Sequence, residues 1–187
     1  QTFRTRVDIF WKTFSAHASK FKQTIDDGKC ADLTDQTIKM VSALAPGLAW
    51  VYGPGLQDGA HSLTVSGEGR RDLQFLTRFW AETAPGIENW DFFPARQPSK
   101  DLSQFEIKIG DVEYSFSTMW LVPTLDVGNE TVDIRVWHPN FDNVEEEARF
   151  QILFLMLDEA LGEWGTENWI GKIEIAPADG LDAVPLA

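Results

Sequence analysis

Hydrophobic positions along this chain recur at two periods, and the switches between them lay out its elements. From 3 to 25 they fall three and four apart: Phe3, Val7, Phe10, Trp11, Phe14, Ala18, Phe21 and Ile25, with Lys12, Lys20, Lys22 and Gln23 between them. That spacing is the apolar stripe of an amphipathic helix packed on a core. Asp27-Gly28 closes it, and Gly28 suits the left-handed position beyond a helix end. A second helix is predicted over 34–45, with Thr34 as N-cap, Leu33 stapled against Ile38, and Ile38, Val41 and Leu44 or Ala45 facing inward. Ala45-Pro46-Gly47 stops it, because proline supplies no amide donor and clashes with the preceding turn.

The period then drops to two. "LAWVY" (48–52) and "HSLTVS" (61–66) read as strands joined by a glycine-rich loop, with Leu63 and Val65 inward. Helical spacing returns over 71–84, placing Leu73, Leu76, Phe79 or Trp80, and Ala84 on the buried face. It ends at Ala84-Pro85-Gly86 and leads to a strand at 90–95. "RQPSKDLSQ" marks a boundary. Beyond it Phe105, Ile107 and Ile109 alternate with polar residues, Gly110-Asp111 supplies a tight turn, and Val112, Tyr114 and Phe116 return. "TMWLVP" extends that strand or forms a bulge. A strand at 131–137 follows, then a deeply buried helix over 144–161 capped by Asp142 or Asn143 and terminated by Gly162. The last strand covers 172–176, and 177–187 reads as an exposed tail.

Strand, strand, helix, strand therefore occurs twice, at 48–95 and 112–176. Local words echo as well: "APGLAW" and "APGIENW" follow the second and third helices, and "GTENW" precedes the last strand. The predicted fold is α+β: a mainly antiparallel sheet built from two ββαβ-like halves, packed by an N-terminal helical pair. The expected layout is one domain, with 1–46 the helical pair, 47–97 the first half, 102–176 the second and 177–187 the tail.

Three stretches carry a resemblance. "FWKTFSAHASKF", "APGIENWDFFPAR" and "LFLMLDEALGEWGTENWIGKIEI" resemble a family of small bacterial proteins with an opening F-W-x-x-F helix, a central A-P-x-x-x-x-W strand and a closing L-D-x-x-L-G-E element. The family has no established activity, so the resemblance implies one intact fold over most of the chain and transfers no catalytic residue.

Composition narrows the function classes. Hydrophobic residues are 43% and charged residues 24%, an ordinary globular balance, but thirteen Phe and eight Trp leave room for an exposed aromatic patch. The net charge is −13. Nucleic acid and anionic membrane surfaces are disfavoured partners, since both require clustered Lys and Arg. A basic protein partner fits the charge. No apolar run reaches the ~18 residues of a membrane span, and the lone Cys30 permits no internal disulfide, so a cytoplasmic protein is expected.

No nucleophile elbow, phosphate loop or zinc motif occurs, and His17, His61 and His138 lie on separate predicted elements without a second His or Cys at ligand spacing. No catalytic residue, cofactor or metal site is assigned. The candidate functional residues are Trp137, His138 and Asp142, crowded at a strand-to-helix junction, and Asp158 and Glu163, carboxylates beside the end of an apolar helix where the dipole disfavours them. The leading reading is a non-enzymatic interaction or regulatory protein for a basic partner, with an immunity-type protein as one version. Two alternatives stay open: a hydrolase-like enzyme using His138 with Asp158 or Glu163, and a small-molecule binder with a cleft between the two halves.

Overall fold

The computed structural model describes residues 1–109, 112–176 and 184–185. In chain order its elements are α1 (Phe3–Asp26), α2 (Thr34–Ser42), β1 (Ala49–Pro54), β2 (His61–Ser66), α3 (Arg71–Glu82), β3 (Trp90–Phe93), β4 (Glu106–Ile109), β5 (Val112–Ser115), β6 (Trp120–Asp126), β7 (Thr131–Trp137), α4 (Glu146–Trp169), β8 (Ile170–Ile175) and β9 (Val184–Pro185). The strands form three sheets in the orders β1-β2-β3, β4-β5 and β8-β7-β6-β9. Four strand pairs are antiparallel and two, β2 with β3 and β7 with β8, are parallel, each of the latter bridged by a helix. The class is α+β. The chain divides into two compact units, Gln1–Arg96 and Gln97–Ala187.

In the first unit, α1 buries Val7, Phe10, Trp11, Phe14, Ala18 and Phe21, the face its spacing predicts. It ends in a Schellman motif: Gly28, at φ 73°, donates to the Ile25 carbonyl, and Lys29 donates to that of Thr24. Trp11 stacks on Trp80 of α3 at 4.9 Å, and Phe14 meets Trp90 and Phe92 of β3 edge-on at 4.9 and 5.2 Å. The Trp90 indole N–H donates to the Ala18 carbonyl at 3.2 Å. One aromatic layer thus joins α1, α3 and β3.

Two expectations fail in this unit. A 3-10 turn, Cys30–Leu33, runs straight into α2, so Thr34 is not its cap, and α2 buries Thr37 and Val41 while Ile38 faces solvent. Val41, Leu44 and Ala45 are buried as expected, and Thr37 takes the place of Ile38: its hydroxyl donates to the Leu33 carbonyl and bonds the Tyr52 hydroxyl at 2.8 Å, fastening α2 to β1. Burial there pushes the Tyr52 phenol up to about 12. In β2 every residue from Ser62 to Ser66 is buried, not Leu63 and Val65 alone. Leu63 and Val65 face the aromatic core, and on the opposite face the short Thr64 side chain sits between the larger Val51 of β1 and Phe93 of β3.

The second unit repeats the first unit's order: an antiparallel hairpin (β6, β7), a helix (α4), and a third strand (β8) parallel to the second. This copy begins at Trp120, not at 112. Ser115 and Thr118 form a capping box around a 3-10 turn, Phe116–Thr118, which cuts β5 away from "TMWLVP" and leaves β4-β5 a separate hairpin. The predicted Gly110-Asp111 turn lies outside the described residues, as does the predicted tail apart from β9, which pairs with β6.

The third element of this copy, α4, departs furthest from expectation. Its N-cap is Glu145, with Asp142 and Asn143 in a preceding 3-10 turn, Phe141–Asn143. Gly162 breaks the helical course at φ 72° and ψ 157°, but the chain then resumes helical form to Trp169 and enters β8 without a loop. Ile152, Leu153, Met156 and Leu157 are buried in a core with Tyr114, Phe116, Ile134 and Val136. Phe154 and Leu155, expected inside, are 46% and 48% exposed. The apolar run covers every side of the helix, and only one side finds the sheet.

Candidate functional site

Charge separates the two units. The first carries eleven Lys and Arg against eleven Asp and Glu; residues 97–187 carry five against eighteen, the whole of the net −13. Helical spacing then decides which groups of α4 meet solvent. Positions 147, 151, 154 and 158 share one face, with 155 beside them. Glu147, Gln151, Phe154 and Leu155 are exposed and Asp158 is half-buried. An apolar centre with carboxylates along it therefore lies opposite the buried Ile152–Met156 side.

The break at Gly162 also answers why carboxylates stand near this helix end. Glu163 lies past the break, in the first turn of the resumed helix, where backbone N–H groups point toward a negative charge instead of away from it. It is 3% exposed, and both it and Asp158 are partnered. Glu159 is half-buried, and its carbonyl accepts from the Ser99 N–H at 2.7 Å. Thr166 donates its hydroxyl to the Gly162 carbonyl at 3.1 Å, holding the corner.

The strand-to-helix junction is built differently. Trp137 ends β7 in register with Trp120 of β6, and Asp142 is exposed on the 3-10 turn beyond. His138 is buried between Tyr114 and Phe141, at ring distances of 4.8 and 5.4 Å. Its Nδ1 accepts from the Asn140 N–H at 3.1 Å. The Thr118 hydroxyl donates to the Ser115 carbonyl, so it accepts from the His138 Nε2–H at 2.9 Å. This pattern fixes a neutral imidazole with its proton on Nε2, and burial lowers the His138 pKa. Both nitrogens are committed to shaping the loop. The five residues picked from sequence thus stand in two places, Trp137, His138 and Asp142 at the junction and Asp158 and Glu163 on α4.

One polar cluster escaped the sequence reading. Asp26, at the end of α1, accepts from Lys22 Nζ and His61 Nε2, each at 2.7 Å. The Lys22 hydrogen bond, followed by that of His61, lowers the Asp26 pKa. Asp26 and Lys22 line an open cleft of about 520 Å³ together with Ser19, Gln23, Glu88 and Asn89. Asp26 and His61 are 35 residues apart, and no spacing motif announces such a pair. In the loop after β2, the Glu68 N–H donates to Ser66 Oγ, Arg70 pairs with Asp72 of α3, and Arg96 pairs with Glu68. Among the described residues no three His, Cys, Asp or Glu side chains cluster as metal ligands, and no helix is long and apolar enough to cross a membrane.

No family model, curated protein or solved structure matches this chain.

Proposed function

We propose that this protein is a non-enzymatic interaction protein whose acidic C-terminal unit, Gln97–Ala187, binds a basic protein partner through the solvent side of α4. The observation that carries the reading is the coincidence of two features on one helix: Phe154 and Leu155 stand exposed where burial would stabilise them, and they stand in the unit that holds all of the net charge. Exposed apolar groups rimmed by charge favour association, with the charges setting partner choice and on-rate. A second copy of the chain is a poor occupant, since like faces would bring their carboxylates together. An immunity-type protein that masks a basic effector is one concrete form of this function.

The test is retention of a partner from native extract by the full chain, beside a Phe154→Ser/Leu155→Ser variant and across a salt series. The expected result is a stoichiometric basic protein held by the wild type at low salt, released at high salt and lost by the variant. Recovery of no stoichiometric basic protein overturns the proposal.

A second reading, small-molecule binding, draws support from the cleft beside Lys22 and Asp26 in the first unit. A thermal-shift screen of polar metabolites tests it, and stabilisation that Asp26→Asn removes would favour it.

A further inference from the structure

We infer that Trp164 and Trp169 form an anchor for arginine side chains of the basic partner, an inference that rests on the function proposed above. The two indoles meet at 5.6 Å and 90°, yet they are 48% and 50% exposed. Two large rings packed on each other and left half in water resemble no core arrangement, for burying them would stabilise the fold and the chain does not do so. Trp is also the residue most enriched among energetic centres of protein interfaces.

The pair is held in place before any partner arrives. The Gly162 break aims the short helical segment that carries both rings. Gly165 lies under the Trp169 ring: a Cβ there would stand 3.1 and 3.2 Å from its Cε3 and Cζ3 atoms. Asn168 donates its side-chain amide to the Trp164 carbonyl at 2.8 Å. Preorganised rings lose little freedom on binding.

Charge complementarity selects the occupant. Between Arg149 and Lys172 the chain has no basic residue, while Asp158, Glu159, Glu163 and Glu167 all fall in that interval. An aromatic face in a negative field attracts cations. Arginine fits better than lysine, because its planar, weakly hydrated guanidinium stacks flat on an indole face, as a compact, strongly hydrated ammonium does not. Trp90, which closes the matching "ENW" word as the first residue of β3, is buried with its N–H bonded to the Ala18 carbonyl of α1, so the exposed version is peculiar to the acidic unit.

The test uses the full chain with octa-arginine and octa-lysine peptides, titrated calorimetrically. Wild type is expected to bind octa-arginine roughly three- to tenfold more tightly than octa-lysine. Trp164→Ala and Trp169→Ala should each reduce that preference, and the double variant should abolish it while keeping its affinity for octa-lysine. Trp164→Phe should retain part of the preference. Equal binding of both peptides by wild type, or an arginine preference that survives the double variant, overturns the anchor and leaves the acidic-unit reading standing. Binding of neither peptide overturns both.

Discussion

Replacing Gly162 with Ala should destabilise the second unit by an amount set by one backbone angle pair. At φ 72° and ψ 157° Gly162 occupies a region that is essentially glycine's alone. A side chain held there costs about 1–3 kcal/mol. Alanine also narrows the unfolded ensemble, which returns about 0.4–1 kcal/mol to the folded state. The net loss is therefore centred near about 1.5 kcal/mol. Relief by straightening the helix is closed off, since it would rotate the buried Glu163 away from its site and pull β8 out of register with β7. The assay is urea unfolding of the full chain, followed by far-UV circular dichroism and tryptophan fluorescence together, because two units need not unfold as one. With a slope of about 1–3 kcal/mol/M, the midpoint of the affected transition should fall by about 0.5–1.5 M. A midpoint unchanged or raised would refute the claim that the break at Gly162 is held by the fold.

Phe14→Ala empties a fully buried site ringed by Phe10, Phe21, Trp90 and Phe92, and should cost the first unit about 3–5 kcal/mol in the same urea assay. Leu155→Ala, on the exposed side of α4, should change stability by no more than about 0.5 kcal/mol, and a loss of core size would contradict its placement. His138 gives a pH dependence. Its folded pKa is depressed by burial, so its contribution is complete above the unfolded value of about 6.5 and is lost as pH falls toward the folded one. The second transition should therefore weaken on going from about pH 7.5 to pH 5.5 in wild type and weaken less in His138→Gln. An identical pH response in the two chains would remove His138 from that role.

What could be read in the sequence followed periodicity wherever one face was buried. The stripe from Val7 to Phe21 names the buried side of α1 residue by residue, and the alternation in 131–137 gives β7, so the ββαβ repeat was visible before the structure. Periodicity fails where burial is not one-sided. In β2 Ser62, Thr64 and Ser66 are buried along with Leu63, short side chains on a strand whose two edges are paired. In α4 the run "ILFLML" contains no polar marker to say that Phe154 and Leu155 point outward. Parallel pairing leaves no local trace, and neither does the junction of Asp26 with His61, which exists only once α1 has packed beside β2. The carboxylates of "LDEALGE" did flag an unusual helix end. The reason, a glycine break that gives Glu163 a second helical start, is a backbone conformation that residue types alone do not specify.

The most direct test of the proposed interaction is where a basic helix lands. Amide NMR shifts of the full chain would be followed during titration with an amphipathic peptide of leucine and lysine at helical spacing. The expected result is a saturable set of shifts centred on the exposed face of α4, at Glu147, Gln151, Phe154, Leu155 and Asp158, that is lost in Phe154→Ser/Leu155→Ser. Shifts spread evenly over the acidic residues of the second unit, shifts confined to α1 and α2, or no saturable shift at all would contradict it.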